Sequence, residues 1–295
     1  MQTGNTDMTS FVERAQEIRK QMERAELSRI APAVLKLLRP SIRLRIGEQS
    51  TKPVTRLGGA PNMPADIAWP TRRSGDPHSF LAQIDLAQLL AIEGLPLPSS
   101  GSLFFFCDSA YLPDGSDPLD VDDGIKVVYC ESSLAENPLR TPPRELDAEL
   151  LFKGLSLKPM PDLTAPAQDV WEIESLRLSD AESDSYNQVF SHLSAGDGSV
   201  HRIGGYPNLV QYGKLELTAE SVSRKIDYGN SNAVGQAGSL GLEAGAADWR
   251  LLLQIDSEED AGMMWGDVGK LYFMIRESDL KALRFDRVWM GWQCG

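Results

Sequence analysis

Two segments of the sequence, FLAQIDL and LLLQID, carry the same polar pair inside an apolar run: Gln83 with Asp85, and Gln254 with Asp256. Residues two apart in a strand share a face, so each Gln and Asp project together. Two such pairs, related by a pseudo-twofold axis, could meet in one polar site that holds a metal ion or pairs carboxylates for acid/base catalysis. Alternatively, each Asp bonds the backbone of the turn after its strand. Because the pair is duplicated along with its strand, we favour the structural role.

Two further segments place apolar side chains where a partner could reach them. The loop after the second Q-I-D segment reads MMWGD and contains Met264, Trp265 and Asp267, with three carboxylates just before it. If exposed, Met and Trp ringed by carboxylates suit a protein-binding hot spot; if turned inward, they cover the end of the sheet. Trp69 precedes a proline, which holds its backbone extended and fixes the ring. That ring is a binding platform or a lid over the sheet.

No segment predicts a catalytic residue, a metal ligand or a cofactor. The sequence has no GxSxG motif, and Gly266–Leu271 lacks the Walker spacing and the Ser/Thr after its lysine. We interpret the three histidines, His78, His192 and His201, as surface residues. The acidic run around Asp120 resembles the start of an EF-hand, but its glycine stands one place too early, so we expect a solvated hairpin loop.

Charge restricts the partners of this chain. It has 295 residues, 42% of them hydrophobic, and a formal net charge of −13. A strongly acidic protein is a poor partner for nucleic acid or an anionic membrane, because both are polyanions. It can attract a basic protein, although the charge could equally serve solubility. Three scattered cysteines predict no disulfide framework.

Three signals recur in the same order and indicate an internal duplication. A Gly-Gly-x-Pro turn, a Q-I-D strand and a strand that follows a glycine (GSLFFF, then GKLYF) appear once in each half. We therefore predict an α+β, β-rich fold with an internally duplicated antiparallel or mixed sheet. A helical segment, 1–39, precedes a domain, 40–295, made of two pseudo-repeats at about 40–135 and 149–295.

The connections between the repeats are less regular. We expect a proline-rich linker over 132–166 with one strand-like piece near Leu151–Leu157, a hairpin turn at Asp123-Gly124 and a long loop over 229–245. Met1–Ser10 lacks the basic start and apolar segment of a secretory signal, and no apolar run is long enough to span a bilayer. We therefore expect a cytoplasmic protein.

The blocks GGAPNMP, AWP, FLAQIDL, GSLFFF, LLLQID, MMWGDVGKLYFMI and WMGWQC occur in this order. In this the chain resembles the YwqG-like family of bacterial proteins of unknown function, over about residues 40–294. The resemblance implies a roll-like, β-rich fold with peripheral helices, and no established activity, cofactor or catalytic residue. It also implies, by association, an immunity or accessory role near toxin genes.

The sequence thus predicts a non-enzymatic, intracellular protein-binding module, in one form an immunity-type partner of a basic toxin. The alternative is an enzyme or metal-binding module that uses the carboxylates of the Q-I-D strands.

Overall fold

A computed structural model describes residues 3–113, 118–168, 170–195, 198–211, 213–226 and 241–295. One nearly closed antiparallel sheet of ten strands forms the centre, in the order β10-β9-β8-β7-β1-β6-β2-β3-β4-β5. The strands are β1 (Arg39–Ile46), β2 (Arg56–Leu57), β3 (Ser79–Asp85), β4 (Ser102–Cys107), β5 (Ile125–Cys130), β6 (Leu155–Thr164), β7 (His201–Gly204), β8 (Trp249–Asp256), β9 (Lys270–Arg276) and β10 (Trp289–Gln293).

Helices among the described residues lie around this sheet. They are α1 (Thr3–Arg24), α2 (Ala31–Leu37), α3 (Pro118–Gly124), α4 (Trp171–Glu174), α5 (Asp180–Ala195), α6 (Leu215–Ser223), α7 (Glu243–Ala246) and α8 (Glu277–Lys281). The fold is therefore β-rich α+β, as predicted. No helix among these residues combines the length and the apolar character needed to cross a membrane.

The two halves of the sheet repeat the same pairing. Arg56 on β2 lies opposite Gln83 on β3, and Arg202 on β7 lies opposite Gln254 on β8. Both β3 and β8 also have a register irregularity two residues before the glutamine. Strands β2 to β5 and β7 to β10 are thus equivalent in order and register. The proposed bounds of the pseudo-repeats stay a prediction.

The first strand of each half joins the other half. Strand β1 pairs with β7, and β6 pairs with β2, while β1 and β6 pair with each other. In that central pair Arg45 lies opposite Lys158. Each half of the sheet is therefore completed by a strand from the opposite half, so neither half is a separate structural unit.

The core lies inside the curved sheet and joins the two halves. Ile84 and Ile255, the middle residues of the two Q-I-D segments, are both buried in it. The rings of Phe105 on β4 and Phe273 on β9 meet edge to face, with their centroids 5.1 Å apart. Phe80 belongs instead to a smaller apolar cluster with Phe104 and Phe106. Equivalent strands thus contribute equivalent residues to one shared core.

Two predictions about the connections need correction. The expected linker contains β6, and the strand-like piece near Leu151–Leu157 covers only the start of this strand, which continues through Pro159 and Pro161. A proline lacks an N–H, so it is tolerated where a strand has a free edge. Strand β6 has such an edge beyond Leu157, whose N–H donates to Thr55 O, because its neighbour β2 is only two residues long.

The expected hairpin at Asp123-Gly124 is the end of helix α3 instead. Pro118 opens this helix, a position at which its missing N–H costs nothing. Asp123 accepts a hydrogen bond from the backbone N–H of Arg73 at 2.8 Å. The earlier part of the acidic run, 114–117, lies outside the described residues. Residues 229–240 of the predicted long loop also lie outside the described residues, and the end of that loop forms α7 instead.

The contact between Phe105 and Phe273 gives a test of the shared core. We expect Phe105→Leu and Phe273→Leu each to lower the free energy of unfolding by about 1–2 kcal/mol. Together they should show a coupling of about 0.5–1.5 kcal/mol, because each ring packs on the other. Urea unfolding of the single and double variants measures this coupling. Phe80→Leu with Phe273→Leu is the matched control and should be additive; additivity of the first pair would contradict the shared core.

Candidate functional site

Each glutamine of the Q-I-D segments holds a turn in place. Gln83 is fully buried; its Oε1 accepts a hydrogen bond from the backbone N–H of Asn62 at 2.8 Å. Its Nε2 donates to the carbonyl oxygen of Val54 at 2.9 Å. The side chain therefore joins the two sides of the chain around the first Gly-Gly-x-Pro turn.

Gln254 makes the same two contacts in the second half. Its Oε1 accepts from the backbone N–H of Asn208 at 2.8 Å, and its Nε2 donates to Val200 O at 2.7 Å. Buried backbone groups need partners, and each glutamine supplies one acceptor and one donor to the chain around its turn. We call the two arrangements the glutamine clamps.

The glycines of the turns are required by the same geometry. Gly58 and Gly204 have φ of 51° and 69°, in the left-handed region that favours glycine. A Cβ on Gly58 would lie 2.5 Å from the carbonyl oxygen of Lys153. Glycine is therefore required in these turns by the backbone conformation and by close packing, and the pair offers no cradle for a phosphate.

Two further residues belong to this repeated unit and were not predicted from the sequence: an arginine before the glycines and an asparagine after the proline. Arg202 is buried and donates to the carbonyl oxygens of Ser194 at 3.2 Å and Tyr206 at 3.1 Å. In the first half, the Arg56 guanidinium donates to Asn62 Oδ1 at 2.5 Å. Aligning TRLGGAPN with HRIGGYPN would have revealed both positions.

The two aspartates serve their own halves of the sheet. Asp85 is half-buried, and its Oδ1 accepts from the backbone N–H of Ala87 at 3.1 Å, which caps a short 3-10 turn. Asp256 is buried; its Oδ2 accepts from the N–H of Val200 at 2.8 Å and lies 3.4 Å from Lys270 Nζ. These contacts are those of structural carboxylates, and they favour the structural interpretation of the pair.

The halves differ at buried polar positions that the registers make equivalent. At three such positions the first half has a hydroxyl group and the second half an ionisable side chain. They are Thr55 and His201, Ser102 and Lys270, and Ser156 and Arg43. At these three positions the ionisable side chains therefore lie in the second half of the sheet, on β7, β9 and β1.

His201 shows the difference most clearly. Its Nδ1 accepts a hydrogen bond from the backbone N–H of Asp256 at 3.1 Å, as Thr55 Oγ1 does from Asp85 in the first half. Its Nε2 lies 3.5 Å from Glu258 Oε2. The close approach of His201, together with hydrogen bonds from the Ser199 hydroxyl and from the N–H of Asp260, lowers the pKa of the Glu258 carboxyl to about 2.

The surface interpretation of the histidines is therefore wrong for two of the three. His201 and His78 are buried, and only His192 is exposed. Burial lowers the pKa of His78. Periodicity could not show this for His201, because the groups that contact it, Asp256 N–H and the Glu258 carboxylate, lie far away in the chain.

Lys270 and Asp256 form an ion pair in the second half, with Lys270 Nζ 3.4 Å from Asp256 Oδ2. Burial lowers the pKa of Lys270, although the nearby Asp256 carboxylate opposes this shift. Neither residue lines the cavities of about 300, 390, 580 and 620 Å³ that the described residues form. Among those residues, no group of three His, Cys, Asp or Glu side chains could hold a metal ion.

In the loop from β8 to β9, only part of the predicted Met/Trp surface is exposed. Trp265 is only 2% exposed; its Nε1 donates to Asp256 O at 3.2 Å, and its ring meets Phe152 edge to face at 5.5 Å. Met264 is 54% exposed and Asp267 is exposed as well. Trp265 therefore covers the sheet end, while Met264 remains on the surface.

Other groups extend this surface. Val268 is 62% exposed and has φ of 49°, a strained conformation for a β-branched residue. The segment 147–153 packs beside the loop, since the N–H of Lys153 donates to Ala261 O at 2.9 Å. We call the result the acidic–apolar surface: Leu151, Met264 and Val268 with Glu149, Glu259, Asp260 and Asp267, all exposed.

Trp69 lies in a cleft on the first half. Its Nε1 donates to His78 O at 2.9 Å, and its ring meets Phe106 edge to face at 5.3 Å. The other side of the ring borders an open cavity of about 580 Å³. Trp69 therefore both covers the sheet and presents a face to solvent.

Comparison with known proteins identifies a family whose function is unknown. The model of a domain of unknown function (DUF1963) matches residues 55–294. No curated protein gives a significant match to this chain.

Removing the glutamine clamps should destabilise both halves. We expect Gln83→Met and Gln254→Met each to lower the free energy of unfolding by about 2–3 kcal/mol, because the change leaves a buried N–H and a buried C=O unpaired. Chemical denaturation measures the loss. The exposed Gln88→Met is the control and should change stability by less than about 0.5 kcal/mol. A loss in only one half would show that the clamps are not equivalent.

The lowered pKa of Glu258 predicts a pH-dependent contribution to stability. A carboxyl that titrates at about 2 in the folded protein, against 4.5 ordinarily, stabilises the fold above the ordinary value. Wild type should exceed Glu258→Gln by about 2 kcal/mol near neutral pH, after allowance for partial exposure. The difference should shrink as the pH falls from about 5 towards 2.

Unfolding curves of both proteins across this pH range provide the measurement. The exposed Glu259→Gln serves as control. A difference between wild type and Glu258→Gln that stays constant with pH would refute the assigned cause.

Proposed function

The chain belongs to the DUF1963 family, and we propose that it acts there as a non-enzymatic, intracellular protein-binding module for a basic partner. The ordered blocks described above support placing it among the YwqG-like members of that family. An immunity-type partner of a basic toxin is the form of this function that the resemblance favours. The contacts of Asp85 and Asp256 support a binding role over an enzyme or metal-binding module built on them.

The observation that carries the proposal is the acidic–apolar surface. Two large apolar side chains, Met264 and Val268, stand exposed in one short loop whose exposed charged side chains are carboxylates. Apolar anchors with a charged rim are the usual composition of a protein-binding hot spot. The carboxylates would steer a basic partner and exclude acidic ones.

The loop is also rigid enough to present these side chains. Its backbone is closed by paired hydrogen bonds between Glu258 and Met263, at 2.8 and 3.0 Å, and by Gly269 N–H to Trp265 O at 2.8 Å. The buried Trp265 ring anchors its middle. A pre-ordered loop loses less conformational entropy on binding. The strained φ of Val268 is typical of a backbone conformation kept for function.

Variants of the exposed anchors test the proposal. We expect Met264→Asp and Val268→Asn to weaken partner binding at least tenfold without lowering stability, since neither side chain is buried and Asn tolerates the left-handed region. Affinity capture from native cells, followed by titration of the captured partner, measures the effect. The matched control is Leu283→Asp, another exposed apolar residue with positive φ in a different segment.

Salt adds a second measurement. Reversing charge with Asp260→Lys or Asp267→Lys should slow association and reduce its dependence on ionic strength, because these carboxylates lie at the rim. If no basic protein is retained at low or physiological salt, the proposal is wrong. It is equally wrong if the Leu283 control weakens binding as much as the anchor variants do.

A further inference from the structure

The exposed methionine of the acidic–apolar surface is open to a chemical reaction that the other methionines of the core escape. Among the methionines whose side chains the structure describes, five are at most 1% exposed: Met22, Met63, Met263, Met274 and Met290. Met264 is 54% exposed and Met160 is 37% exposed. A thioether sulfur is oxidised to a sulfoxide where an oxidant can reach it, so these two side chains are accessible and the other five are protected.

The two consecutive methionines of the β8–β9 loop have opposite surroundings. Met263 is buried in the shared core, and its backbone forms the paired hydrogen bonds with Glu258 at 2.8 and 3.0 Å. Met264, the next residue, has its side chain in solvent. The chain thus places a protected and an accessible thioether side by side, and Met263 is an internal standard for the reactivity of Met264.

Oxidation of Met264 would leave the loop intact. The loop is closed by the hydrogen bonds described above, which pair Met263 and Trp265 with residues on its other side. Met264 belongs to neither pair. The Trp265 ring that anchors the middle of the loop is only 2% exposed. An oxygen added to Met264 therefore requires no rearrangement of the backbone or the core, and its effect is confined to the surface.

We propose that Met264 is a reversible oxidation site that regulates the acidic–apolar surface, an inference that rests on the proposed protein-binding function. The oxidant is a peroxide. Its O–O bond breaks, an S–O bond forms at the Met264 sulfur, and the peroxide leaves as water or an alcohol. The sulfur loses two electrons in becoming a sulfoxide, and the peroxide gains them.

The sulfoxide changes an apolar anchor into a polar group. Its oxygen accepts hydrogen bonds from water, so burying it in an apolar pocket of a partner costs free energy unless the partner supplies a donor. Val268 keeps its apolar side chain, so oxidation weakens the surface without abolishing it. Because Met264 is exposed, a methionine sulfoxide reductase has access to it and restores the thioether. The oxygen then leaves as water while two thiols form a disulfide.

Peptide mapping by mass spectrometry tests the site without any partner. The full chain is treated with hydrogen peroxide, and the gain of one oxygen atom is followed at each methionine. We expect Met264 to be oxidised about tenfold faster than Met263, because only its sulfur is accessible in the folded protein. Equal rates at the two positions would overturn the inference, whether or not the chain binds a partner.

Binding of the captured basic protein, measured before and after peroxide, tests the regulation. All variants carry Cys294→Ser, because Cys294 is the one cysteine of the three that is not buried and a thiol also reacts with peroxide. Peroxide should weaken binding of this parent protein about fivefold, and methionine sulfoxide reductase should restore it. Met264→Gln, which places a polar amide near the position of the sulfoxide, should lower affinity by about the same factor.

Two leucine variants form a matched pair. Adding Met264→Leu to the parent should remove the change in affinity on peroxide treatment, because no thioether remains at the surface. Met160→Leu removes the other exposed thioether, on strand β6, and should leave that change as large as in the parent. A peroxide effect that survives in Met264→Leu, or that reductase does not reverse, would refute the regulation. If no basic protein is captured, the proposed function and the regulation fail together, while the mapping still decides whether Met264 is an oxidation site.

Discussion

The structure depends on side-chain partners for the backbone groups around its two glycine turns. Each turn directly follows a short strand, the two-residue β2 or the four-residue β7. Gln83 and Gln254 supply the missing donor and acceptor, and in doing so fix where each short strand meets its Q-I-D neighbour. The arginine of each turn is placed beside the same arrangement, buried at Arg202 and half-buried at Arg56. Without these amides, a buried N–H and a buried C=O in each half would lose their partners, which would destabilise the turn and the strand pairing next to it.

Duplication explains the scaffold, and divergence explains where chemistry can reside. The clamps and the irregularities of β3 and β8 are shared by both halves, so they report what the fold requires. The hydroxyl groups of the first half are replaced in the second by His201, Lys270 and Arg43. Such substitutions are not needed for folding, because the first half manages without them. The acidic–apolar surface adjoins strands β8 and β9 of this half.

Local sequence signals predicted the repeated strands, because those depend on patterns within seven or eight residues. The clamps were foreseeable in part, since a buried Gln must find a partner. Strand β6 was predicted only at its start, near Leu151–Leu157, because its prolines are tolerated only beside a short neighbour, which is a property of the assembled sheet. The burial of His201 and the pairing of Arg43 with Arg202 were beyond reach for a similar reason. Each depends on contacts between residues far apart in the chain, and one sequence carries no record of such contacts.

The crossing of β1 and β6 into opposite halves has a consequence for shorter forms of this chain. A polypeptide containing a single half would lack the strand that the other half contributes to its sheet, and its own first strand would have no place in that sheet. Two such polypeptides could exchange their first strands and so rebuild the ten-stranded sheet as a symmetric, strand-swapped dimer. The present protein has the architecture of that dimer after fusion into one chain, which makes the strand exchange intramolecular and independent of protein concentration.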